Sequence, residues 1–160
     1  MDFSLTPEQK ELQSVAREFA QKEMTSVAKE LEEKKEFLPY EWFDRYAEMG
    51  FLGINISKKY GGLGLPNLDA LLVLEEFAKV SSVVAWPIFE SAVGPIKAIE
   101  HFANEDLKQR IIPEVSSTKA ASWVQIGEPA GKRWKVLPES TDRQTKKLLA
   151  VRFARTPGMP

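Results

Sequence analysis

The feature that most constrains this chain is an apolar stripe running from Leu12 to Leu31. Leu12, Val15, Ala16, Phe19, Ala20, Met24, Val27, Ala28 and Leu31 recur at three-four spacing, while Lys10, Glu11, Arg17, Lys22 and Glu23 fall elsewhere. That period places the apolar set on one side of a long helix and is incompatible with a strand. Thr6-Pro7-Glu8-Gln9 supplies its start: a hydroxyl cap, a proline suited to the first helical position, and a Gln able to reach back. The polar run from Glu30 to Glu36 closes it.

The same reading extends down the chain. Pro39 opens a shorter helix carrying Trp42, Phe43, Tyr46, Ala47 and Met49, which Gly50 stops. Phe51-Leu52-Gly53-Ile54 is a turn with apolar anchors. Asn67 is expected to cap a helix with Ala70, Leu71, Val73, Leu74, Phe77 and Ala78 on its apolar face and Asp69, Glu75, Glu76 and Lys79 on its polar side. Val83 to Phe102 reads as further helix, bent at Pro87 and at Gly94-Pro95. Asn104-Glu105-Asp106 then starts a helix through Leu107, Ile111 and Ile112, with Pro113 near its end. Ala120 to Ile126 reads as a short strand, for which the remaining sequence offers no evident partner. The expected fold is therefore all-α, an orthogonal bundle of about five or six helices with a short terminal strand.

Charge divides the chain. Residues 1–126 carry 14 Lys+Arg against 20 Asp+Glu, a net −6, whereas 127–160 carry 8 against 3, a net +5. We accordingly expect a helical unit over 1–126 and a divergent basic tail over 127–160. Gly127 to Gly131 forms a loop at the junction, and disorder in the tail is as good a reading as a short helix or strand around Leu148, Leu149, Val151 and Phe153. With no Cys there is no disulfide and no thiolate chemistry, which fits a reducing compartment. The acidic, polar N-terminus does not read as a signal peptide, and no apolar run is long enough to span a bilayer. A soluble, cytoplasmic protein with no membrane partner is expected.

Chemistry-bearing motifs are few. Gly61-Gly62-Leu63-Gly64 lacks the Lys-Ser/Thr of a phosphate loop and the preceding strand of a dinucleotide fingerprint, so it is expected to be a turn. His101 is the only histidine and has no companions at ligand spacing, so no metal site is expected. Glu32-Glu33 and Glu75-Glu76 point apart on helices and are expected to solvate a face. The basic tail has no recognisable nucleic-acid fold, and no nucleic-acid partner is expected. Trp86, Phe89 and Val93 share one helical face, which either packs in the core or lines an apolar pocket.

The order of features resembles the N-terminal helical domain of acyl-CoA dehydrogenases. The resemblance rests on Phe3-Ser4-Leu5-Thr6-Pro7-Glu8-Gln9-Lys10, Met49 to Ile54, Lys59 to Gly64, Glu105 to Arg110 with Pro113, and Ile126-Gly127-Glu128-Pro129. It implies a flavoenzyme in which FAD takes a hydride from the β-carbon of an acyl-CoA while a glutamate removes the α-proton. It further implies that Trp86, Phe89 and Val93 form a wall for the acyl chain, and that Val124, Gln125, Ile126 and Gly127 belong to the segment crossing the flavin. Acyl-CoA as substrate and assembly into homo- or hetero-oligomers follow from the same kinship.

Departures from the pattern bear on function. Gly127 stands where the family usually has a Thr hydroxyl, and Ala130-Gly131-Lys132-Arg133 lacks the usual Ser and Asp. The middle β-domain and the C-terminal four-helix domain, with the catalytic glutamate, have no counterpart here, so the catalytic residue is unknown. The charge reversal coincides with the loss of resemblance, which suggests a replaced, alternatively spliced or out-of-frame end. Two readings follow: a dehydrogenase fragment inactive alone, or a helical module that docks on a flavin-bearing dehydrogenase partner.

Overall fold

The computed structural model describes residues 4–116, together with 122–127, 135–141, 146–148 and 151–152. Its helical part is all-α. The apolar stripe forms one continuous run: helix α1 (Pro7–Phe19), a single wide π-turn (Ala20–Met24) and helix α2 (Thr25–Lys34). The capping box closes as the sequence predicts, with Gln9 N–H donating to Thr6 Oγ1 at 3.2 Å and Thr6 N–H donating to Gln9 Oε1 at 3.1 Å. Ala16, Phe19, Ala20, Met24, Ala28 and Leu31 are buried, whereas Val15, at the margin of the stripe, is exposed. The π-turn accommodates an extra residue and so shifts the phase of the stripe midway along the run.

Helix α3 (Tyr40–Glu48) follows Pro39. The chain then makes one 3-10 turn (Lys58–Tyr60) and enters the glycine-rich stretch, which is a turn. Its amides are already engaged: Leu63, Gly64 and Leu65 N–H donate to the carbonyls of Gly53, Ile56 and Ile54. A Cβ at Gly62 would lie 2.3 Å from the Ile56 carbonyl oxygen, so only glycine allows this close approach. The loop is thus folded onto its own chain rather than opened toward an anion.

Helix α4 (Asn67–Ala78) departs from expectation in three ways. Leu71 and Ala78, expected on its apolar face, are exposed, and Leu72 is buried instead. Asn67 is its first residue rather than its cap, and its side chain accepts from Asn55 Nδ2 at 2.7 Å. Asp69 and Glu76, expected on a solvated face, are buried. Their burial is possible because α1 brings partners: Gln9 Nε2 donates to Asp69 Oδ1 at 2.8 Å, and Arg17 makes a two-point ion pair with Glu76 at 3.0 and 3.1 Å. Lys79 adds a third contact to Glu76 at 2.8 Å. Glu75 does stay at the surface, paired with Lys79.

Helix α5 (Ser82–Ile88) is capped by Ser81, whose hydroxyl also reaches Glu32. A second π-turn (Phe89–Val93) follows, then helix α6 (Pro95–Phe102) and helix α7 (Glu105–Ser116), which Asn104 caps through Leu107 N–H at 2.9 Å. Pro87 lies inside α5, and the break in the run falls at Gly94-Pro95. Beyond α7 the strand expected over 120–126 is β1 (Ser122–Gly127). It has a partner after all: β2 (Lys135–Thr141) pairs with it antiparallel, and β3 (Lys146–Leu148) and β4 (Val151–Arg152) pair with β2. Gly127, expected to open a loop over Gly127 to Gly131, is instead the last residue of β1, paired with Lys135, while 128–131, Leu149 and Phe153 lie outside the described residues.

Two buried clusters hold the helices. The larger gathers α1 to α5 around Phe19, Tyr46, Phe51 and Phe77, whose rings meet mostly edge to face at centroid distances of 5.0–6.4 Å. The smaller gathers Ile56, Tyr60, Ile96, Ile99, Ile111, Ile112 and Val115. The chain visits the second cluster at Ile56 and Tyr60, returns to the first with α4, and passes to the second again at Gly94.

Candidate functional site

Helix α5 and the π-turn after it place Trp86, Phe89, Glu90 and Val93 on one face, at spacings of three, four and seven. Their neighbours Val84, Ala85, Ile88 and Ala92 point inward and are buried in the aromatic cluster, which fixes the orientation of the outer face. Of the three residues singled out by sequence, Val93 packs half-buried against that cluster. The other two face solvent: Trp86 is 48% and Phe89 36% exposed, with ring centroids 5.3 Å apart. The choice left open between core packing and an apolar surface is thereby divided within one stripe.

The π-turn has a visible requirement. Gly94 N–H donates to the Phe89 carbonyl at 2.7 Å, and a Cβ at Gly94 would meet Phe89 Cε1 at 2.8 Å and the Phe89 carbonyl oxygen at 3.0 Å. Glycine therefore lets the Phe89 ring lie across the chain where the helix breaks. Single π-turns are often found where a helix face is re-aimed for function.

Sequence reasoning missed Glu90. Trp86 Nε1–H donates to Glu90 Oε1 at 3.0 Å. Burial pushes the Glu90 carboxyl up to about 7, and the Trp86 hydrogen bond, which favours the carboxylate, only partly opposes this. The available signal was a lone acid at helical spacing inside an otherwise apolar stripe. Glu76 provides the contrast: the Arg17 and Lys79 contacts outweigh burial and hold it below the usual carboxylate range.

Val124, Gln125, Ile126 and Gly127 lie together on β1, opposite Pro138, Leu137, Val136 and Lys135 in register. The helices packed beside β1 are α6 and α7, so this set and the α5 face stand on different elements. β1 is the terminal strand of the path β1-β2-β3. Such a strand has backbone donors and acceptors directed away from its neighbour, which suits a flat heteroaromatic group with hydrogen-bonding groups along one edge. Val124, Ile126 and Gly127 bring no side-chain hydrogen-bonding atom by residue type, so for these three the backbone of β1 is what could meet such a group. His101 is exposed on α6, and among the described residues no group of three or more His, Cys, Asp and Glu is placed to hold a metal. No described helix is long and apolar enough to cross a membrane.

Comparison with known proteins agrees with this architecture. Residues 6–119 match the family described as Acyl-CoA dehydrogenase, N-terminal domain. Acryloyl-CoA reductase (NADH) of Anaerotignum propionicum is 33% identical over 129 residues, covering 81% of this chain and 32% of that protein. The structure of butyryl-CoA dehydrogenase from Megasphaera elsdenii superposes with a TM-score of 0.69 at 21% identity, over 88% of this chain and 41% of the other. The FAD complex of PigA superposes with a TM-score of 0.64 at 22% identity, over 86% and 41% of the respective chains. The chain spans about a third of the length of the curated relatives it matches.

Proposed function

The chain belongs to the acyl-CoA dehydrogenase family through its N-terminal domain, and from that premise we propose that it forms one wall of an acyl-CoA site facing FAD. The carrying observation is the solvent-facing Trp86–Phe89 pair, an apolar surface that the helical core leaves uncovered. On this reading Trp86, Phe89 and Val93 take the acyl chain. Val124, Gln125, Ile126 and Gly127 take the flavin edge through β1. When bound, FAD supplies the acceptor for the hydride leaving the acyl β-carbon, while the wall holds the thioester in register and excludes water. The base is assigned to no residue of this chain, which is inactive alone and works in a homo- or hetero-oligomer in the cytoplasm. The family-like unit is 1–126, and 127–160 is a divergent basic end.

A second reading is favoured by Leu63, Leu65, Leu68 and Leu71, all exposed along the glycine loop and the outer side of α4. Here the chain is a non-catalytic module that docks this surface on a flavin-bearing dehydrogenase. One experiment separates the two. The purified chain is mixed with FAD, freed of excess, and read by flavin absorbance, alone and with a flavin-bearing family member. Acyl-CoA binding is followed by calorimetry in parallel. Thioester binding weakened by Trp86→Ala supports the first reading, and a stable complex without thioester binding supports the second. Neither thioester binding nor a complex overturns both.

A further inference from the structure

The acyl-facing stripe carries one group that an apolar wall does not need. Glu90 directly follows Phe89 and lies one helical turn beyond Trp86, and the protein supplies a single donor, Trp86 Nε1–H, to one of its oxygens. Among the described residues no lysine, arginine or histidine forms an ion pair with it, and no donor is recorded for its Oε2. A carboxyl partly withdrawn from water is costly to keep unless its lone pairs are met. Glu76, Glu100 and Glu105 illustrate the usual solution, each meeting a lysine and at least one further donor. Glu90 alone of these four faces outward from an aromatic surface with an acceptor left over. Water can meet that oxygen in the unliganded chain, and a ligand lying on the aromatic surface would displace this water and have to supply the partner itself.

We propose that Glu90 selects acyl groups whose far end carries a hydrogen-bond donor, a hydroxyl or an ammonium, over plain alkyl or carboxylate-terminated chains. The inference rests on the acyl-binding reading of the Trp86–Phe89 face and names the substrate class of that site. Chemically, Glu90 Oε1 remains engaged by the indole, so its orientation is set, and Oε2 accepts from the ligand terminus. A carboxylate terminus instead brings a like charge to the same place, and an alkyl terminus strands the carboxyl without a partner.

The test uses the full chain at about pH 8, with CoA thioesters of matched length ending in methyl, hydroxyl, ammonium or carboxylate, measured by calorimetry. We expect the hydroxyl- and ammonium-ended thioesters to bind about tenfold more tightly than the methyl-ended one, and the carboxylate-ended one to bind weakest. Glu90→Gln keeps an acceptor for Trp86 and turns an amide N–H toward the terminus, so it should erase that preference and favour the carboxylate. Trp86→Phe should weaken all four together. Circular dichroism verifies that the variants fold. If thioesters bind but Glu90→Gln leaves their order unchanged, the inference fails and the acyl-binding reading stands. If none of the four binds the wild-type chain, that reading fails and the inference with it.

Discussion

The two buried clusters solve the same problem with different materials. The first is built on four aromatic rings in mutual contact, with Tyr46 also donating to the Val84 carbonyl at 3.0 Å from a fully buried position. The second is almost wholly aliphatic, with Tyr60 at its edge donating to Glu105. Edge-to-face rings and a buried hydroxyl are directional, whereas branched aliphatics are held mainly by volume. Their polar ties differ as well. Arg17–Glu76 joins two helices side chain to side chain, while Glu100 accepts from the Ser57 backbone N–H and from its near neighbour Lys97. The candidate site hangs on the more directional cluster, on its last stretch before the chain crosses to the other.

The largest effect should come from cutting into the aromatic cluster. Phe77→Ala should cost about 3–5 kcal/mol, against about 2–4 kcal/mol for Ile99→Ala in the aliphatic one, read by urea unfolding. Equal costs would remove the distinction. Next, Gly94→Ala forces a methyl against the Phe89 ring and carbonyl where the clusters meet. It should cost about 1–3 kcal/mol and alter tryptophan fluorescence, whereas an unchanged protein would show that the junction is pliant.

A smaller effect separates the two carboxylates by pH. Glu90 is held above its ordinary value, so the folded chain binds a proton that the unfolded chain has already released, and stability falls as pH rises through about 7. Glu90→Gln should therefore exceed wild type by about 1 kcal/mol near pH 8 once partial exposure is allowed for, and match it near pH 4. Glu76 is held below its ordinary value, so its contribution is present at neutral pH and fades as pH falls through the acid range. Glu76→Gln should flatten that limb. Smallest is Thr6→Ala, which opens the capping box and should cost about 0.5–1 kcal/mol by thermal melting.

What the sequence made legible were features set by near neighbours. The Leu12–Leu31 stripe, the Thr6–Gln9 box, the Asn104 cap and the break at Gly94-Pro95 all depend on residues within a few positions. Asp69 and Glu76 were misjudged because their partners, Gln9 and Arg17, lie 60 and 59 residues away, and a periodic pattern carries no information about pairing at that range. The partner strand of β1 was invisible for a related reason: β2 contains Pro138 and charged residues, and its pairing is a matter of register rather than composition. At the site, the shared face of Trp86, Phe89 and Val93 was readable from spacing. The roles of Glu90 and Gly94 were not, since the first depends on where the Trp86 ring comes to rest and the second on where the Phe89 ring does.

The ties between α1 and α4 also set an order of events in time. The Gln9–Asp69 and Arg17–Glu76 contacts close loops of about sixty residues, an entropic requirement that grows slowly with length but delays the contact itself. During synthesis at about 5–20 residues per second, roughly 3–12 s separate the appearance of Arg17 from that of Glu76. Over that interval α1 displays its apolar stripe without its principal neighbour. The nascent chain then has a defined window of exposure, which closes when α4 emerges and the buried glutamate meets its arginine.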